Sequence, residues 1–175
     1  FLSRVEITDA EDISAFAAGL APVKVEDDGT TIGAMPRAAR RVRVRLDGRD
    51  IDLVACHLKS KLLSFPGGFV PADEGQRARY GDYALGRRAA EAATVRAAAD
   101  ALLDNRGQER PVVVLGDLND EPLAATTQIL LGPPGSEFET AGFDRPDQGD
   151  GMRLWNLAPR LAALHPDRAF TRRFR

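Results

Sequence analysis

Hydrophobic and polar positions alternate most cleanly in the second quarter of the chain, where Val42, Val44 and Leu46 interleave with Arg41, Arg43 and Arg45. A period of two is the mark of a strand with one face turned inward. Asp47-Gly48 supplies a hairpin turn, and Ile51 to Leu58 returns as a second strand. Upstream, Phe1 to Ile7 reads as a short strand, followed by a loop carrying Asp9, Glu11 and Asp12. Val23–Val25 and Thr30–Ile32 flank Asp27-Asp28-Gly29 and read as a small hairpin. Residues 61 to 83 mix Gly, Pro, Arg and Tyr and read as a long excursion. Phe65, Phe69, Arg77, Arg79 and Tyr80 within it are placed either to stack bases and grip phosphates or to sit on a surface loop.

From about Tyr83 to Leu103 the period changes to that of a helix. Ala92, Val95, Ala99 and Leu102 recur at three- and four-residue intervals, Arg87 and Glu91 are spaced to pair across one turn, and Asn105 and Gly107 stop the helix. Its alanines suit close packing on a sheet. Pro111 to Leu115 is then a buried-type apolar strand running directly into Gly116-Asp117-Leu118-Asn119-Asp120. Pro122 to Leu131 reads as a short helix, its N-terminal dipole matched by Asp120 or Glu121, and Gly132-Pro133-Pro134-Gly135 breaks it. Residues 133 to 153 read as loop, their aspartates lacking the spacing of a calcium-binding loop. Strands first, then a helix before a strand, predict a layered α/β architecture in one domain spanning residues 1–175.

Composition narrows the function without naming it. A formal net charge of −2 argues against a dedicated electrostatic nucleic-acid binder, although an enzyme that touches a few phosphates needs no basic excess. No apolar run approaches the roughly 18 residues of a membrane span. The one cysteine, Cys56, excludes an internal disulfide and a multi-cysteine metal cage, and its apolar strand makes it a small core residue. The arginines at 41, 43 and 45 read as a solvated face, with a phosphate-binding surface as the alternative.

Two strand ends carry the candidate chemistry. Gly116 permits a sharp turn, after which Asp117 and Asn119, two residues apart on extended backbone, would face one substrate; the alternative is a plain turn, which Asp and Asn also favour. His57, in His57-Leu58-Lys59-Ser60, shares strand parity with Ile51, Leu53 and Ala55 and so leaves the sheet on the side of buried residues, where a satisfied core histidine is the alternative to a catalyst. Together the two ends offer an imidazole that can protonate a leaving oxygen, a carboxylate that can orient a water, and an amide that can bond a phosphoryl oxygen.

His57-Leu58-Lys59-Ser60, then a helix, then Val114-Leu115-Gly116-Asp117-Leu118-Asn119-Asp120, resembles the endonuclease/exonuclease/phosphatase superfamily with its deoxyribonuclease-like fold. The resemblance implies a sandwich of two β-sheets flanked by helices and a hydrolase that cleaves phosphate esters with a divalent metal, magnesium or manganese. Its substrates range over DNA, RNA, phospholipids and small diesters. By the same resemblance Asp117 orients the nucleophilic water, Asn119 contacts the scissile phosphate, and His57 contacts the phosphate or acts as an acid. The family also brings an Asn and a metal-binding Glu from strands near its amino terminus and an Asp-His pair near its carboxyl terminus. Glu6 and Glu11 lack the expected strand-end context, His165 stands in the wrong order before Pro166-Asp167, and Arg168–Arg175 resembles the strand leading toward that pair. The expectation is therefore a fold incomplete at both ends, without metal ligands of its own and weak or inactive by itself, or else a non-catalytic interaction domain. A calcineurin-like metallophosphoesterase fits Gly-Asp-x-x-Asp but needs an Asp-x-His and more than two histidines, and a nucleotide-binding ATPase needs a phosphate loop that the chain lacks.

Overall fold

A computed structural model describes residues 3–131 and 151–165. Its described elements are β1 (Glu6–Ala15), β2 (Val23–Lys24), β3 (Thr31–Ile32), β4 (Ala34–Leu46), β5 (Arg49–His57), α1 (Glu74–Leu103), β6 (Val112–Asp117), α2 (Ala125–Leu131) and α3 (Ala158–Leu164). The fold of the described residues is mixed α/β: a four-stranded sheet ordered β1-β4-β5-β6, the β2–β3 hairpin, and three helices. β4 pairs antiparallel with both β1 and β5, whereas β6 returns parallel to β5 through the α1 crossover. A second full sheet stacked on the first is not found among the described residues. The expected loop at 133–150, the expected strand at Arg168–Arg175 and the first two residues of the expected amino-terminal strand lie outside them.

The core lies between α1 and one face of the sheet. Ala39 of β4 and Val54 and Cys56 of β5, with Leu58 just beyond, meet Ala90, Ala92 and Val95 of α1, and Leu130 of α2 closes one side. Ala92, Val95 and Ala99 are fully buried, as their helical spacing predicts. No described helix is long and apolar enough to cross a membrane.

Several boundaries differ from the sequence reading, each for a physical reason. β1 continues through the supposed loop to Ala15 because its acids pair with the basic strand beside it: Glu6 lies opposite Arg45, Glu11 opposite Arg41 and Asp12 opposite Arg40. The arginine stripe is consequently a solvated face only at its Arg45 end, where the side chain is exposed. Arg41 is buried, bonding Asp52 through Nε at 2.8 Å and Asp9 through Nη1 at 2.5 Å, and Arg43 grips the same Asp52 carboxylate.

α1 starts at Glu74, nine residues before the periodic stretch, so half of the expected excursion is helix. Asp73 caps it by accepting the Gln76 N–H at 2.7 Å, and the Gln76 side chain reaches back to the Ala72 N–H. Phe65 and Tyr80 are buried against each other, ring centroids 5.0 Å apart, and Arg79 is paired with Asp27. None of these three is free to stack a base. The short second helix begins three residues later than Pro122, at Ala125.

Candidate functional site

The parallel register of β5 and β6 runs from Asp52↔Val112 to Cys56↔Gly116 and His57↔Asp117. It sets His57 directly beside Asp117 at the carboxyl ends of neighbouring strands. Gly116 makes this possible: it has φ +126°, and a Cβ there would stand 2.0 Å from the Cys56 carbonyl oxygen. The ladder continues one step further with the Leu58 N–H donating to the Asp117 carbonyl at 3.0 Å.

His57, Asp117 and Asn119 come together here, though not by the route expected from the sequence. The fully buried β5 face is that of Asp52, Val54 and Cys56, because α1 covers it and Arg41 and Arg43 neutralise Asp52. His57 has the opposite parity and is half exposed, on the less buried side with Ile51, Leu53 and Ala55. Asn119 is not on extended backbone either. It adopts φ +52°, a left-handed conformation that asparagine tolerates.

That turn performs two tasks. The Asn119 backbone N–H donates to Asp117 Oδ1 at 2.9 Å, and its side-chain Nδ2 donates to the Leu58 carbonyl at 2.9 Å. Asp117 Oδ2 is left facing His57 Nε2 at 3.8 Å. The local turn and the convergent site, alternatives in the sequence, are thus the same structure.

A fourth side chain, missed from the sequence, completes the corner. Arg37 of β4 donates from Nη1 to His57 Nε2 at 2.8 Å and from Nη2 to the Leu58 carbonyl at 2.9 Å. A guanidinium has no lone pair to offer, so Nε2 accepts and the ring proton of this arrangement is on Nδ1. Continuing the Arg40↔Ala55 register back three residues would have set Arg37 beside Leu58. The signal was concealed among Arg40, Arg41 and Arg43 and by starting the strand at Arg41, seven residues after its true beginning at Ala34.

Lys59, by contrast, turns its ammonium to the Ser60 and Leu62 carbonyls at 3.1 and 2.7 Å. Desolvation, then the charges of Arg87, Arg37 and Arg88, hold it below the usual lysine range. Cys56 is sealed beneath the corner, its thiol pushed up to about 11 by burial and then by the charges of Glu91 and Asp117. His165 is an exposed residue just past α3 and takes no part.

The corner is open to solvent rather than enclosed. A cavity of about 780 Å³ lies instead along β6, α2 and the 153–161 segment, lined mainly by apolar residues such as Val113, Leu115, Leu130 and Trp155. It contains none of His57, Asp117 or Asn119. Magnesium takes oxygen ligands in octahedral geometry, commonly one or two carboxylates, and Asp117 offers one. Among the described residues no three His, Cys, Asp or Glu side chains converge to hold an ion. The described residues therefore do not by themselves make a metal centre.

No family model and no curated protein matches the chain. Among solved structures, sphingomyelinase C from Streptomyces griseocarneus is similar to it over 78% of this chain, at 19% identity and a TM-score of 0.41. This chain spans 39% of that structure's length. A likeness of that size decides nothing about chemistry, which rests on the residues at the corner.

Proposed function

We propose that the chain carries part of a phosphoester-hydrolysing centre of the deoxyribonuclease-like kind, in a two-sheet sandwich of which the described sheet is one layer. The observation that supports this most is the convergence of one imidazole, one carboxylate, one amide and one guanidinium on the paired ends of β5 and β6. Each has a use in phosphodiester hydrolysis. Arg37 presents a planar fork of donors to the non-bridging phosphoryl oxygens. Asn119 has spent one amide N–H on Leu58 and keeps the other for the same phosphoryl group. One such preorganised donor is worth on the order of 3 kcal/mol in the transition state.

Asp117, its Oδ1 fixed by the Asn119 N–H, orients a water and takes its proton as the new P–O bond forms. His57 serves the departing oxygen. In the free protein its Nε2 is occupied by Arg37, so it can carry and deliver a proton only after the guanidinium has moved to the phosphoryl oxygens. Substrate binding would then arm the acid, an effect of roughly a hundred- to ten-thousand-fold. A divalent cation, magnesium or manganese, would neutralise phosphoryl charge in this class of reaction, with ligands beyond those described.

The test, made on the full-length parent that supplies those further ligands, is release of p-nitrophenol from bis(p-nitrophenyl) phosphate, and of fragments from single- and double-stranded DNA and RNA, with magnesium or manganese supplied. Turnover that Asp117→Asn and His57→Gln both depress is expected. No product from any of these substrates overturns the proposal.

A further inference from the structure

We propose that Arg88, on α1, is a positioning residue for this corner: it ties the chain after His57 to the turn after Asp117, and so sets the spacing of the reacting groups. The inference rests on the phosphoester reading of that corner. Arg88 shares a buried helix face with Ala84, Ala92, Val95 and Ala99, its side chain only 6% exposed. An arginine buried there is costly unless its charge and its donors are met, and a well-packed apolar residue would serve stability as well or better. Its two contacts explain its presence.

Arg88 Nη1 donates to the Lys59 carbonyl at 3.1 Å, and Nε donates to Asp120 Oδ2 at 3.2 Å. These acceptors belong to different loops. Lys59 lies two residues beyond His57, and Asp120 directly follows Asn119. Three residues along the helix, Glu91, also buried, accepts the Lys59 N–H at 2.5 Å and the Arg87 Nε at 2.8 Å. The Lys59 residue is thus held by its N–H and its carbonyl from one helix. On the other side, Asp120 is braced by Lys61 Nζ at 2.8 Å and Thr126 Oγ1 at 2.5 Å.

The effect reaches the site through Leu58. Its carbonyl, in the peptide joining it to Lys59, is the shared acceptor of Arg37 and Asn119. Any drift of that peptide displaces both donors and alters the His57–Asp117 separation. Only a forked donor spans the two loops from one side chain. A lysine at 88 would bring one point of charge and hold one loop.

The experiment uses the 175-residue chain with Arg88→Met and Arg88→Lys, each checked for folding by circular dichroism. The imidazole nitrogen resonances are then read by NMR; the chain has two histidines, and a His57→Gln spectrum assigns them. Expected in both variants are displaced His57 resonances with His165 unmoved. Turnover should fall on the order of 100-fold, as for other small misplacements of reacting groups. KM should stay within about twofold, the pattern of a loss felt in the transition state.

If Arg88→Met does not fold, Arg88→Lys decides. A folded Arg88→Lys chain of lowered Tm whose His57 resonances and kcat match the wild type shows a structural role only and overturns the inference. Should the wild type cleave no phosphoester, the functional reading falls by itself, and the His57 resonances still uphold or overturn the coupling of the loops.

Discussion

Arg37 and His57 come from antiparallel strands twenty residues apart and meet with 2.8 Å between Nη1 and Nε2. The contact places a permanent cation against the ring nitrogen that faces Asp117. It also predicts how the corner answers an anion. Hydrogen bonds to charged groups contribute about 1.5–3 kcal/mol, so Arg37→Ala should weaken inorganic phosphate binding by about tenfold or more. Because Arg37 is exposed but bonds the Leu58 carbonyl, its loss should lower folding stability by about 1 kcal/mol. Phosphate titration followed by ³¹P NMR, beside a urea melt, checks both halves; unchanged phosphate binding would remove Arg37 from the site.

Gly116 is where the backbone pays for the pairing of His57 with Asp117. An alanine there must hold φ near +126° and place its Cβ against the Cys56 carbonyl, so β5 and β6 would have to separate. Gly116→Ala should cost at least about 3 kcal/mol, the sum of a strained dihedral and a displaced strand. Urea denaturation measures this. A variant as stable as the wild type would mean that the strands part without consequence, and the site geometry would then not depend on their contact.

How much of this was legible beforehand can be judged residue by residue. The end of β6 was legible, since an apolar run followed by Gly-Asp-Leu-Asn-Asp has strong local signals for both strand and turn. β1 was legible only as far as Ile7, because Asp9, Glu11 and Asp12 look like loop until set against Arg43, Arg41 and Arg40. Two charged strips, each a poor strand alone, become one paired sheet, and only the register reveals it. The parity of His57 held, but the face it shares with Ile51, Leu53 and Ala55 is the less buried one, because arginines from the next strand allow Asp52, on the other face, to lie in the core. The amino-terminal part of α1 was masked by Gly75 and Gly81, residues that each weaken a helix by about 1 kcal/mol.

That charged sheet gives a contrast between two aspartates on the strands either side of β4. Asp52 is buried between Arg41 and Arg43, whereas Asp12 meets Arg40 at 2.8 Å with both side chains largely exposed. Removing one partner of a buried pair leaves an uncompensated charge, so Asp52→Asn should lose about 3 kcal/mol. Asp12→Asn should lose less than about 1 kcal/mol, and 1 M salt should abolish the difference from wild type. Equal effects of the two substitutions in guanidinium melts would contradict this.

Asp120 supplies the pH dependence. Burial alone would push its carboxyl up, but the hydrogen bonds from Lys61, Thr126 and the Glu121 N–H, with the charge of Arg88, outweigh burial and hold it well below its ordinary 3.8. The depressed value means that the native state binds the proton less readily than the unfolded chain. Its stabilisation is therefore fully present above about pH 4 and is lost as pH falls from there through the native value. Wild type should accordingly lose stability on acidification by more than Asp120→Asn does, and the two melting curves should converge toward pH 2. Because Asp120 also anchors Arg88, the His57 resonances of wild type should begin to move over the same acid range, well below where an ordinary histidine titrates. Parallel acid profiles for the two proteins would show that Asp120 carries no such linkage.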